Sequence, residues 1–287
     1  MALSVLKEIR KIYSSVNANE IRSLARQDLS VGLMAMSEGS FRELESFLAP
    51  PSLPEQARNE ALWKIHRVAG APPENADFVL CEPGIVLPPK GYIFDVMNPA
   101  PAIARILADH EGKELAIASR FPAFRRTLSD NIIHRVAGEN ALFSLVTALP
   151  NVVPSMLDLP WAVGEFASDT AFLTMNQIRM ALLMAAAHNR VTGYKEQKME
   201  IAAIAGGAFG WRALARELVG KIPLGGGLIP KAAVAFAGTF VVGLGLEKIN
   251  RNGEGLSKWE KREAYAEALE KGREVARAMA PSFMKRQ

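Results

Sequence analysis

The chain has 287 residues, with 34 Lys and Arg against 30 Asp and Glu, for a net charge of +4. A hydrophobic share of 49% with only 22% charged residues excludes a disordered or nucleic-acid-coating chain, and a mean hydropathy of +0.07 points to an unusually apolar part, one that meets lipid or forms a large buried bundle. The pI is about 9.2, but the basic residues are interleaved with acids rather than gathered in a stripe, so no nucleic-acid partner is expected.

The stretch Met1 to Arg10 carries charges where a signal peptide needs its apolar core, so no secretory leader is expected. Val5, Leu6, Ile9, Ile12 and Tyr13 recur at helical spacing, and Asn17 with Glu20 reads as a capping box opening a second short helix through Arg26. Leu29–Met36 is an apolar run between polar residues, a predicted buried strand that leads into a helix. Further strands are predicted at Ala76–Cys81, Tyr92–Val96 and Glu114–Ala118. Helical periodicity over Glu55–Val68 and Ala102–His110 places helices between them, so a small parallel sheet is expected. The lone cysteine, Cys81, excludes a disulfide framework and a thiolate zinc cluster and fits a reducing cytosolic setting.

From Phe121 onward only helical segments are predicted: Pro122–Ala148, Pro154–Glu165, Ser168–Arg190, Gly193–Ala205, Phe209–Val219, Pro230–Lys248 and Ser257–Met279. Charge thins out here, with 16 charged residues in 141–250 against 48 in the other 177. The expected organisation is therefore an α/β domain over 1–120, an apolar helical domain over 121–250, and a charged amphipathic helix over 251–287. The fold class is α+β, predominantly helical. The last helix opens on the capping box Ser257-Lys258-Trp259-Glu260 and carries Glu267/Lys271 and Glu274/Arg277 at ion-pair spacing.

A spanning helix needs about 20 apolar residues. Ala232–Leu246 is uncharged and about 22 Å long as a helix. It reaches a span only if Leu228–Pro230 are added and Lys231 snorkels. Ser168–Arg190 is long enough but has Asn176, Gln177 and Arg179 at its centre. A buried soluble bundle and membrane attachment both stay open.

Several ordered stretches carry a resemblance. Arg120-Phe121-Pro122-Ala123-Phe124-Arg125, then Asn140-Ala141-Leu142-Phe143-Ser144-Leu145, then Leu149-Pro150-Asn151-Val152-Val153-Pro154 are followed by Met175-Asn176-Gln177, Trp211-Arg212-Ala213-Leu214-Ala215-Arg216-Glu217, Ile222-Pro223, Ile229-Pro230-Lys231 and Ala237-Gly238-Thr239 with Gly243. In this order they resemble the YcjF-like bacterial domain of unknown function, usually found C-terminal to Era-type GTPase domains. The resemblance covers about Glu114–Leu246.

It implies a P-loop GTPase upstream, with Leu29–Met36 as its first strand. A phosphate loop needs glycines for close backbone approach, a Lys for the β/γ-phosphates and a hydroxyl for Mg²⁺. The corresponding stretch is Ala35-Met36-Ser37-Glu38-Gly39-Ser40-Phe41-Arg42. Ala35 and Ser40 replace the two glycines, Phe41 stands in place of the Lys, Arg42 in place of the hydroxyl, and Glu38 repels a triphosphate. The guanine-binding Asn-Lys-x-Asp is absent, and Ser119-Arg120-Phe121-Pro122 after the expected strand supplies no substitute. The first half is thus expected to be a shortened GTPase-like fold that does not handle nucleotide.

His66, His110, His134 and His188 lie far apart and show no metal-ligand spacing, so no metal and no cofactor is expected. Ser129, Asp130 and Glu139 lack a nucleophile elbow and are expected on helix surfaces. Gly225-Gly226-Gly227 is expected to be a hinge rather than a phosphate loop. Trp211, Arg212, Arg216, Lys221 and Lys231, beside uncharged runs, are the candidate contacts to membrane lipid or a protein partner, against the alternative of arginines bridging helices through Glu217 or Glu200. The leading expectation is a non-enzymatic, GTPase-derived bacterial protein on the cytoplasmic side of the inner membrane, peripheral or shallowly inserted. A nucleotide hydrolase with an unrecognised site and a soluble cytoplasmic helical scaffold are the alternatives.

Overall fold

The computed structural model of the chain describes residues 16–70, 72–148, 169–204 and 228–284. Its architecture is α+β and predominantly helical, with one small parallel sheet. Two compact units are distinguished: one holds Asn19–Ser129 with Ala185–Val191, the other the described residues of Met1–Ala18, Asp130–Met184 and Thr192–Gln287.

The sheet unit begins with α1 (Ala18–Ala25), within a residue of the helix that Asn17 and Glu20 predict. Then come β1 (Val31–Met34), α2 (Glu38–Leu48), α3 (Glu55–Leu62), β2 (Ile65–Arg67), β3 (Phe78–Cys81), β4 (Gly91–Ile93), α4 (Ala100–Asp109) and α5 (Glu114–Arg120). The strands run parallel in the order β2-β1-β3-β4, with Val31 opposite Ile65 and Phe78, and Val79 opposite Gly91. Alternation splits β1 and β3 between two faces. Val31, Leu33, Phe78 and Leu80 are fully buried. On the other face Val79 and Cys81 pack with Val68, Met34 and Ile85. Gly32 is needed on this second face, because a Cβ there would lie 2.8 Å from Val68 Cγ2 and 3.0 Å from Val79 Cγ2.

Two expectations fail in this unit. The helix expected over Glu55–Val68 ends at Leu62, and Ile65–Arg67 is instead the edge strand β2, stabilised by pairing with β1 rather than by its own pattern. The strand expected at Glu114–Ala118 is the helix α5, buried from Leu115 to Ser119. A short apolar run buried all round reads alike as strand or helix, and the alanines favour helix. The last strand therefore ends at Ile93, and every element from Ala100 onward among the described residues is helical.

A 3₁₀ turn (Pro122–Phe124) and α6 (Arg125–Val146) stand where one long helix is predicted. The remaining helices are α7 (Asp169–Ala187), α8 (residues 198–204), α9 (Leu228–Asn252) and α10 (Lys258–Met284). The helices predicted at Val5–Tyr13, Pro154–Glu165 and Phe209–Val219 lie outside the described residues, as does the Gly225–Gly227 hinge.

In the helical unit, Ala137, Ala141 and Leu145 of α6 pack with Ala232 and Phe236 of α9 and Ala276 of α10. A second cluster joins Ala233, Ala237 and Val241 to Tyr265, Ala268 and Leu269. The α10 capping box forms as predicted: Glu260 N–H donates to Ser257 Oγ at 3.3 Å, and Ser257 N–H to Glu260 Oε2 at 2.8 Å. The predicted Glu267/Lys271 pair does not form, because Lys271 turns to His134 of α6, with Nζ 2.6 Å from Nε2. Nor does Glu274 pair with Arg277; the ion pair in that stretch is Arg273 with Glu270.

Candidate functional site

In open parallel sheets ligands bind beyond the carboxyl ends of the strands. Here that edge holds the turn Ala35–Ser37 between β1 and α2, beside the end of the neighbouring β3. Ser37 has extended backbone (φ −138°, ψ 163°) and caps α2, its Oγ accepting from Ser40 N–H at 3.0 Å. The two hydroxyls also share a hydrogen bond at 2.9 Å.

The group facing this turn is a carboxylate of the chain itself. Glu82, the first residue after β3, accepts from Met36 N–H through Oε2 at 2.8 Å and from Ser40 Oγ–H through Oε1 at 2.9 Å. A helix N-terminus with free N–H groups favours an anion, and Glu82 supplies one intramolecularly. The residues that depart from a phosphate loop are also committed elsewhere. Arg42 Nε donates to Glu38 Oε1 at 3.1 Å, Arg67 also pairs with Glu38, and the Arg67 guanidinium lies 4.0 Å from the Phe41 ring centroid. The hydrogen bond from Arg67, followed by that from Arg42, holds the exposed Glu38 carboxyl below its ordinary value. Glu82 carries no signal in isolation. An acid directly after an apolar strand and before Pro83-Gly84 is a cue, but only the strand order brings it to Met36.

The histidines are placed structurally. His66 is exposed on β2. His110 bridges Ile106 O at 2.9 Å and Asp77 O at 3.0 Å and lies edge-on to Phe78. His134 Nδ1 donates to Asp130 O at 2.8 Å, which leaves Nε2 to accept from Lys271. Burial pushes His188 down to about 4, with Arg125 and Arg190 acting in the same direction, so its imidazole is neutral near pH 7. Among the described residues no group of three His, Cys, Asp or Glu is placed to hold a metal ion. The surface reading of Ser129 and Glu139 is corrected. Ser129 is fully buried, and Glu139 is mostly buried, 3.7 Å from Arg179, with burial pushing its carboxyl up. Asp130 is exposed, as expected.

Of the candidate contact residues, Trp211, Arg212, Arg216 and Lys221 lie outside the described residues. Lys231 is exposed at the start of α9 and donates to Thr147 Oγ1 at 3.2 Å. Among the described residues one helix, Ile229–Asn252, is long and apolar enough to cross a membrane by length and composition, a test that the core helix of a soluble protein also passes. Its middle is not clothed in apolar groups alone. Phe240 meets the His134 ring at 5.1 Å and the Lys271 ammonium at 5.6 Å. Comparison of the chain with known protein families, curated proteins and solved structures finds no match.

Proposed function

We propose that the chain is a GTPase-derived, YcjF-like protein that does not turn over nucleotide and acts by attaching, through its helical part, to the cytoplasmic face of the bacterial inner membrane or to a protein partner there. The observation that carries the reading is Glu82: a carboxylate held by Met36 N–H and Ser40 Oγ occupies the place at the α2 N-terminus where a phosphate loop receives phosphate. A triphosphate would have to displace this anion and meet Glu38, with both nearby arginines already engaged. Peripheral attachment fits α9 better than spanning, because the folded helix has Lys271 and His134 against its midpoint, and a Lys at the centre of a bilayer costs about 2.5–3.5 kcal/mol.

Two measurements test this. Titration of the full chain with GTP or ATP and Mg²⁺ should give no saturable binding; Mg²⁺-dependent micromolar binding that Ser37→Ala or Ser40→Ala abolishes would show a working nucleotide site. Co-sedimentation with anionic phospholipid vesicles should pellet the full chain at low salt and release it at high salt. Recovery in the supernatant at low salt removes the membrane and leaves the protein partner.

A further inference from the structure

Helix α9 presents a problem of specification. Between Lys231 and Glu247 its sequence is AAVAFAGTFVVGLGL, apolar on every face, with Thr239 the only side chain that makes conventional hydrogen bonds. α7 is similar: between Thr174 and His188 its polar side chains are Asn176, Gln177 and Arg179. A helix with one apolar stripe is oriented by burial, whereas one that is apolar all round can rotate or slide by a turn at little cost in buried area. Yet these scattered polar groups converge. Thr239 Oγ1 accepts from Asn140 Nδ2 at 2.8 Å and from Gln177 Nε2 at 3.2 Å. Asn176 Nδ2 donates to Asn140 Oδ1 at 2.8 Å. Asn140, Asn176 and Thr239 are fully buried, and Gln177 is 7% exposed. Along α6 and α7 this layer lies between the stacked rings of Phe143 and Phe172, 3.8 Å apart, and the Glu139–Arg179 pair.

We propose that the layer centred on Asn140 and Thr239 is a register lock: together with the close approaches of α9 at Gly243 to Ile133 and at Ala233 to Gly272, it selects which face and which turn of α9 meets α6 and α7, a choice that the amount of apolar area buried leaves degenerate. Any other rotation or one-turn slide of α9 removes the Thr239 hydroxyl, strands the Gln177 donor in an apolar interior and leaves Asn140 Nδ2 only its 3.4 Å contact to the Leu173 carbonyl. The layer does this at a cost to stability. Asn176 Oδ1 finds no hydrogen-bond partner among the described residues, and apolar groups of similar shape are often as stable as a buried polar network or more so.

Stability and uniqueness therefore separate in the test. In the full chain, the quadruple variant Asn140→Leu, Asn176→Leu, Gln177→Leu, Thr239→Val removes the layer without leaving its donors unpaired. The lock predicts retained far-UV helicity with loss of the sharp thermal transition and of part of the near-UV signal. A transition as sharp as that of the native chain, with the native near-UV spectrum, overturns it. Should the quadruple variant yield no helical protein, position 239 decides alone. Thr239→Ser keeps the hydroxyl, and Thr239→Val keeps the shape. Doubled methyl resonances from 232–246 in the Val variant but not in the Ser variant support the lock. A single set in both, or doubling in both, refutes it.

Discussion

The core around β3 and the seam between α9 and α10 are built in opposite ways. Phe78 is fully buried and fills its space by volume, with His110, Phe124 and Tyr92 at ring distances of 5.4, 6.3 and 6.4 Å. The seam is lined by Ala233, Ala237, Ala268, Gly272 and Ala276, whose small side chains let two backbones approach. A Cβ on Gly272 would lie 2.8 Å from the Ala233 carbonyl oxygen and 3.1 Å from its Cα. A core filled by a ring is vulnerable to removal of volume, and a core made by close approach is vulnerable to its addition.

The largest effect is expected from Phe78→Ala, which should cost the sheet unit about 3–5 kcal/mol in denaturant unfolding. A loss below about 1 kcal/mol would mean that the aromatic cluster is not its core. Gly272→Val should cost about 1–3 kcal/mol, since the atoms it meets belong to the backbone of α9 and cannot rotate away. An unchanged midpoint would show that α10 lies further from α9 than the seam implies. The smallest effect belongs to the polar clamp at the end of the same hairpin. There Lys248 Nζ donates to Glu260 at 2.8 Å and, with Ser257, holds the carboxyl down to about 2 from an ordinary 4.5. The folded value is the depressed one, so the contribution is fully present above about pH 4.5 and is lost as pH falls toward 2. Thermal midpoints of the native chain and Glu260→Gln should converge over that window. A constant gap would rule the clamp out.

The two regions also differ in how far they could be read in advance. The strands β1, β3 and β4 announce themselves as short apolar runs, correct to within two or three residues. The α10 cap is a local contact between residues three apart, and the sequence specified it fully. β2 was hidden because Ile65–Arg67 has only one largely covered side chain and draws its order from β1. The candidate site was half legible. The residue types of 35–42 were readable in advance, whereas Glu82, whose carboxylate faces that turn, comes from 46 positions away along the chain.

What the sequence determined by itself is whatever depends on near neighbours: the cap that starts α10, the apolar character of 232–246 and the concentration of charge in the C-terminal helix. The tertiary structure alone decided which distant groups meet. Strand order placed Glu82 against Met36, and helix packing brought Asn140 to Thr239, 99 positions away, and Gln177 to the same hydroxyl, 62 positions away. An apolar helix carries no periodic marker of the face it will bury, so the register of α9 follows from contacts that only packing makes: the close approaches at Gly243 and Ala233 and the donors that its one hydroxyl finds.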